Sequence, residues 1–166
     1  MPGNYFLSMM EVKRLGCVEE GVDVVFSAKA KKEGKKTGAL ETVEQQLNFI
    51  LGLGKGKEAE LVVSGLEDLA ELPKLLEEMI GAWRTGNLEK MEKLINKEMK
   101  EQHPEIFEEL IVKRNKAWVP IIEEWAKSRE VAFVLVGAGH LCGEEGLLGL
   151  LEKRGFRVER VEVSKE

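Results

Sequence analysis

The chain has 166 residues, a length that suits one domain able to bury its own core without disulfides or metals. It is 43% hydrophobic and 33% charged, with a formal net charge of -5. That describes a globular, soluble protein and argues against nucleic acid as its main partner, because phosphate binding needs a basic field.

The two cysteines, Cys17 and Cys142, match no CxxC spacing and read as free thiols. The start, MPGNYFLSMMEVKR, lacks a basic region followed by a long apolar core, so no signal peptide is expected. The apolar stretch around Val131 to Gly143 is shorter than the roughly 20 residues of a membrane-spanning helix. A cytoplasmic protein without a membrane span is the expectation.

In chain order, Tyr5 to Leu15 reads as a short helix, with Tyr5, Phe6, Met9 and Met10 apolar. Gly21 to Lys32 reads as a second helix, with Gly34 as its stop. The basic run Lys29 to Lys36 coats the end of that helix as a solvated face. KTGALE reads as a short strand ending at Glu41, and Thr42 caps a helix running to about Leu51. GLGKGK is a break. Two helices follow, Glu58 to Leu69 and Pro73 to Trp83, the second with proline in its first turn. Asn87 caps a helix through about Met99, and Pro104 opens a long one reaching about Ala126. Val131 to Val136, a continuous β-branched run, reads as a strand buried on both faces. Glu144 to Arg154 reads as a helix stopped by Gly155, and Arg157 to Val163 as an edge strand. The expected fold is therefore α/β. A small, mostly parallel sheet carries a large helical insertion at about 57–127, and a strand-helix-strand unit at 131–163 closes one domain over 1–166.

Three features suggest a site. In VLVGAGHLCGEEG, Gly137 and Gly139 fit a dinucleotide fingerprint, but Gly143 comes one residue late and no second half follows. What remains is His140 just past a strand end, where a neutral imidazole could ligate a metal or move a proton, or simply be satisfied in a polar turn. Glu41 takes a like position before a helix start; it could hold a cation, act as a base, or belong to the cap. On the long helix, Phe107, Ile111, Arg114, Trp118, Ile121 and Trp125 share one face. Arg114 in that apolar stripe needs a carboxylate or an anionic ligand, unless it snorkels to the stripe's edge. Asn115 beside it could bond at the same place. The Trp118 and Trp125 rings read as core. Glu41, Arg114 and His140 are expected to converge on one cleft.

Taken together, Gly21-Val22-Asp23, Leu40-Glu41-Thr42 with Gln45, Arg114-Asn115 and Gly137-Ala138-Gly139-His140, in this order, resemble the C-terminal part of the TraB/GumN family within the Tiki-like hydrolases. The resemblance runs from about Leu15 onward. It implies a divalent metal (manganese, cobalt or zinc) held by His140 and Glu41, with Glu41 also a possible base. It further implies substrate contacts from Arg114, Asn115, Gln45, Gly137 and Gly139, and hydrolysis of a peptide or similar amide. Such proteins carry an earlier Gly-x-x-His segment. The other histidine here, His103, lies between Gln102 and Pro104 and does not form one. The expectation is a shortened domain that binds a peptide or small molecule, or regulates, with little catalysis alone. The alternatives are a metal-dependent hydrolase completed by another chain, and a structural or assembly protein. Metal binding by the isolated chain should be weak or absent. A homo-oligomer is expected, because a strand apolar on both faces needs cover.

Overall fold

The structure, a computed structural model, describes residues 12–16, 20–52, 56, 63 and 71–162. The chain divides into two compact units, Met1–Gly81 and Ala82–Glu166. The helices read at Tyr5 to Leu15 and Glu58 to Leu69 lie largely outside the described residues.

In the first unit, α1 (Val22–Lys32) ends as its sequence implies. Gly34 takes a positive φ of 67°. The Gly34 N–H then donates to the Lys31 carbonyl and the Lys35 N–H to the Ala30 carbonyl, a Schellman ending that satisfies two otherwise orphaned acceptors. Helix α2 (Val43–Gly52) begins with a reciprocal cap. The Gln45 N–H donates to Thr42 Oγ1 at 3.1 Å and the Thr42 N–H donates to Gln45 Oε1 at 2.8 Å. This is a capping box written as T-x-x-Q in the sequence.

Helix α3 (Leu72–Thr85) carries the chain from one unit into the other. In the second unit, Asn87 Oδ1 accepts from the Lys90 N–H at 2.9 Å and starts α4, residues 88–102. Pro104 opens α5, residues 104–127. Each of these helices contains a π-helical stretch, Glu92–Lys97 in α4 and Glu108–Lys113 in α5. A short 3-10 turn, Ala138–His140, and α6 (Leu147–Lys153) complete the unit. The π stretch of α4 packs on the 3-10 turn, and α6 packs on the second half of α5. Two small apolar clusters result. Ala82, Met91 and Cys142 gather Ile95 and Ala138, while Phe107, Ile111 and Val112 gather Met99 and Leu110.

The expected α/β architecture is overturned. Among the described residues there is no β-strand, and the body of the protein is helical. KTGALE, Val131 to Val136 and Arg157 to Val163 were expected to form the sheet, and none of their described residues pairs in a ladder. Val131 is fully exposed and Phe133 is 70% exposed, so the run expected to be buried on both faces is not. Among the described residues there is thus no strand-helix-strand unit at 131–163, although its helix exists, and no sheet into which the described helices of 57–127 could be inserted. The physical reason is that a β-branched, apolar run states a preference for extended backbone, whereas a strand exists only through hydrogen bonds to a second, distant segment.

Segment 156–162 is fastened to the end of α3 by a side chain. Arg160 donates from Nη2 to the Thr85 carbonyl at 2.9 Å and from Nη1 to the Gly86 carbonyl at 3.3 Å. A guanidinium there meets the acceptors that a helix C-terminus leaves unpaired.

Candidate functional site

The turn after Val136 is held from two helices. From the π stretch of α4, Asn96 Nδ2 donates to the Gly139 carbonyl at 2.9 Å. From α5, Asn115 Nδ2 donates to the Glu145 carbonyl at 2.7 Å and to the His140 carbonyl at 3.2 Å. The turn adds bonds of its own. His140 N–H donates to the Gly137 carbonyl at 2.9 Å, and the Cys142 thiol donates to the Ala138 carbonyl at 3.2 Å. Burial, with the nearby Glu92 carboxylate second, pushes that thiol up to about 11.

Glycine is required at particular places. A Cβ on Gly139 would stand 3.0 Å from Ile95 Cγ2 and 3.2 Å from Asn96 Oδ1, so the turn lies directly on α4. Gly143 has φ 76°, and a Cβ there would fall 2.4 Å from Glu92 Oε1. Gly137 has φ -58°, and its nearest neighbour would be His140 Cδ2 at 3.8 Å.

His140 is buried and held on two sides. Its Nδ1 lies 2.8 Å from Asn115 Oδ1, and its ring rests on Trp118 with centroids 4.5 Å apart and planes at 45°. The Arg114 guanidinium lies over the Trp118 ring, 4.7 Å from its centroid, a cation–π contact. Arg114 Nη1 also donates to the Leu110 carbonyl at 3.4 Å. Arg114, Trp118 and His140 thus form one stacked series, with Asn115 beneath the histidine.

Of the residues expected at a site, the second unit brings together Arg114, Asn115 and His140, with Gly137 and Gly139 in the same turn. Glu41 and Gln45 belong to the first unit. There Glu41 is half-buried directly before Thr42, and Gln45 closes the capping box. The sequence reading centred the stripe of α5 on Arg114, but its centre is Asn115, which has no exposed surface, while Arg114 sits half-buried beside it. Asn96 was missed. Its signal is a carboxamide between Ile95 and Met99, on the apolar side of a helix otherwise full of glutamate and lysine. Among the described residues, buried Asn96 Oδ1 has no hydrogen-bond partner.

The resemblance implies a metal. An imidazole held through one ring nitrogen by an amide oxygen is a usual form of a metal-ligating histidine, so His140 fits as one ligand. Among the described residues no group of three or more His, Cys, Asp or Glu is placed to hold a metal ion. Among the same residues, no helix is long and apolar enough to cross a membrane.

No curated protein and no solved structure matches the chain. Residues 2–160 match the model of the TraB/PrgY/gumN family, and the chain belongs to that family.

Proposed function

We propose that the second unit is a ligand-binding module for a peptide or another small molecule carrying a carboxylate or a polarised carbonyl. The stacked series of Arg114, Trp118 and His140 carries this reading. An apolar core of the same volume would hold the turn without the cost of burying an imidazole and a carboxamide. The polar set is instead hydrogen-bonded and stacked, which fixes the orientation of an imidazole and of a guanidinium, each against Trp118. A guanidinium fork has five N–H donors in a planar array that matches the two oxygens of a carboxylate.

Hydrolysis of a peptide or amide bond with a divalent metal is a second reading, in which another chain completes the site. One observation favours it. His140 is held through Nδ1, as ligating imidazoles commonly are.

Calorimetric titration with tetrapeptides, paired as free acids and C-terminal amides, tests the first reading. The expected result is binding of the free acid at micromolar strength and at least a tenfold loss in Arg114→Met, with the far-UV circular dichroism unchanged. Equal affinity in wild type and variant would refute it, as would no binding of any peptide. The same peptides incubated with manganese, cobalt or zinc and followed by mass spectrometry test the second.

A further inference from the structure

We propose that Asn115 is a positioning residue that fixes the tautomer of His140. It holds the proton on Nδ1, so that the ring lone pair of the neutral imidazole is carried by Nε2. The argument begins with the orientation of the carboxamide. Its two ends differ in chemistry: the NH2 only donates and the oxygen only accepts. One end of Asn115 lies against two carbonyl oxygens, that of Glu145 at 2.7 Å and that of His140 at 3.2 Å. Only the NH2 can serve there, because a flipped amide would press its oxygen against two others. The oxygen is therefore the end that faces His140 Nδ1 at 2.8 Å.

An amide oxygen cannot donate. A hydrogen bond of that length then requires Nδ1 to bear the proton. The backbone carbonyls of residues 140 and 145 thus choose the state of the imidazole through one buried side chain. In water a neutral histidine favours the opposite form, with the proton on Nε2, so the assignment reverses the intrinsic preference. A half-turn of the ring would put Cδ2 in place of Nδ1 and lose the bond to Asn115, and Trp118 lies against the ring in the orientation that keeps it. A proton or a cation taken up from a ligand is received at Nε2. This last consequence rests on the binding reading above, whereas the tautomer itself does not.

The test uses the whole chain, labelled with 15N and free of ligand, at about pH 9, above the ordinary imidazole range. Two-bond proton–nitrogen correlation spectra distinguish a protonated ring nitrogen from one with a lone pair. The chain has only two histidines, and His103→Gln assigns the remaining signals to His140. The expected pattern is a protonated Nδ1 and an unprotonated Nε2. Asn115→Leu, which removes the acceptor, should shift most of the population to the Nε2–H form. A wild-type spectrum showing Nε2–H overturns the proposal, and so does an Asn115→Leu spectrum that keeps Nδ1–H. Should Asn115→Leu fail to fold, the wild-type spectrum decides alone. Because no ligand is present, a peptide that fails to bind leaves this result standing, and a wrong tautomer leaves the peptide titration standing.

Discussion

Gly146→Ala should be among the most damaging single-methyl additions in the second unit, although nothing about the backbone forbids it. Gly146 has φ -73° and ψ 154°, an ordinary extended conformation that alanine adopts freely. On conformational entropy alone the substitution would stabilise by about 0.4–1 kcal/mol. Space decides against it. The added Cβ would sit 2.4 Å from the Cys142 carbonyl oxygen and 2.5 Å from that of Leu141. A carbon and a carbonyl oxygen rest at roughly 3.3 Å or more. The overlap is therefore close to an ångström, and both neighbours are backbone, which cannot rotate aside.

To relieve it, the first turn of α6 must move away from the loop. That movement strains the bond from the Leu150 N–H to the Gly146 carbonyl, 2.9 Å, and the one from Asn115 to the Glu145 carbonyl. Overpacking in a closed interior costs about 1–3 kcal/mol, and one weakened buried bond adds about 1 kcal/mol. The expected loss is about 2–4 kcal/mol. Gly137→Ala is the control. It lies in the same turn with its nearest contact at 3.8 Å, and should change stability by less than about 0.5 kcal/mol. Urea unfolding followed by tryptophan fluorescence measures both. Trp83, Trp118 and Trp125 all lie in the second unit, so the signal reports on that unit alone. Equal midpoints for the two variants would refute the reasoning.

Asn115→Ala strands the Glu145 carbonyl and His140 Nδ1–H in a closed site and should cost about 2–4 kcal/mol by the same assay; a loss under about 1 kcal/mol would show that water replaces the carboxamide. The Cys142 thiol, raised from 9.0 to about 11, keeps its proton to higher pH in the folded state than in the unfolded one. Its contribution to stability is thus complete below pH 9 and is lost as pH rises through 11; Cys142→Ala should flatten that decline, and an unchanged profile would count against the assignment. The expected homo-oligomer is still a proposal, for which the exposed Val131, Phe133 and Val161 supply apolar surface. Sedimentation at micromolar concentration should show a species heavier than one chain, and a single species of one-chain mass at all concentrations would end the idea.

What was legible in the sequence is what neighbouring residues decide among themselves. Thr42 and Gln45 close their capping box three residues apart, Gly34 ends α1, Asn87 starts α4 and Pro104 starts α5. In each case donor and acceptor are a turn apart, so their identity fixes the geometry. The three strands failed because pairing is settled between distant segments, and a run such as Val131 to Val136 names no partner. The helix read from Glu144 was placed three residues early: Gly146 is extended and stands as its N-cap, and the helix begins at Leu147. At the site, the four-residue Gly137 to His140 turn and the Arg114-Asn115 pair were visible. Their division of labour was not. A helix of 3.6 residues per turn puts Phe107, Ile111, Arg114 and Trp118 on one face. The buried set is Phe107, Ile111, Val112, Asn115, Trp118 and Val119, so Trp118 stays inside while Asn115 takes the interior place expected of Arg114.

Between Phe107 and Arg114 lies the π stretch Glu108–Lys113, whose i to i+5 bonding carries the following residues around the axis relative to an α-helix. Asn115 enters the interior and Arg114 moves to its margin, where the guanidinium can lie on Trp118. The stretch in α4 ends next to Asn96 in the same manner. Two wide turns in two helices therefore deliver two carboxamides to carbonyls of a single turn, at Gly139 from one side and at His140 and Glu145 from the other. A π stretch is less well bonded internally than an α-helix, and three bonds to otherwise orphaned buried carbonyls offset that deficit. The histidine is held as a consequence. Its orientation depends on the register of α5 rather than on any residue adjacent to it in sequence, which is why no motif centred on Gly137 to His140 could have revealed it.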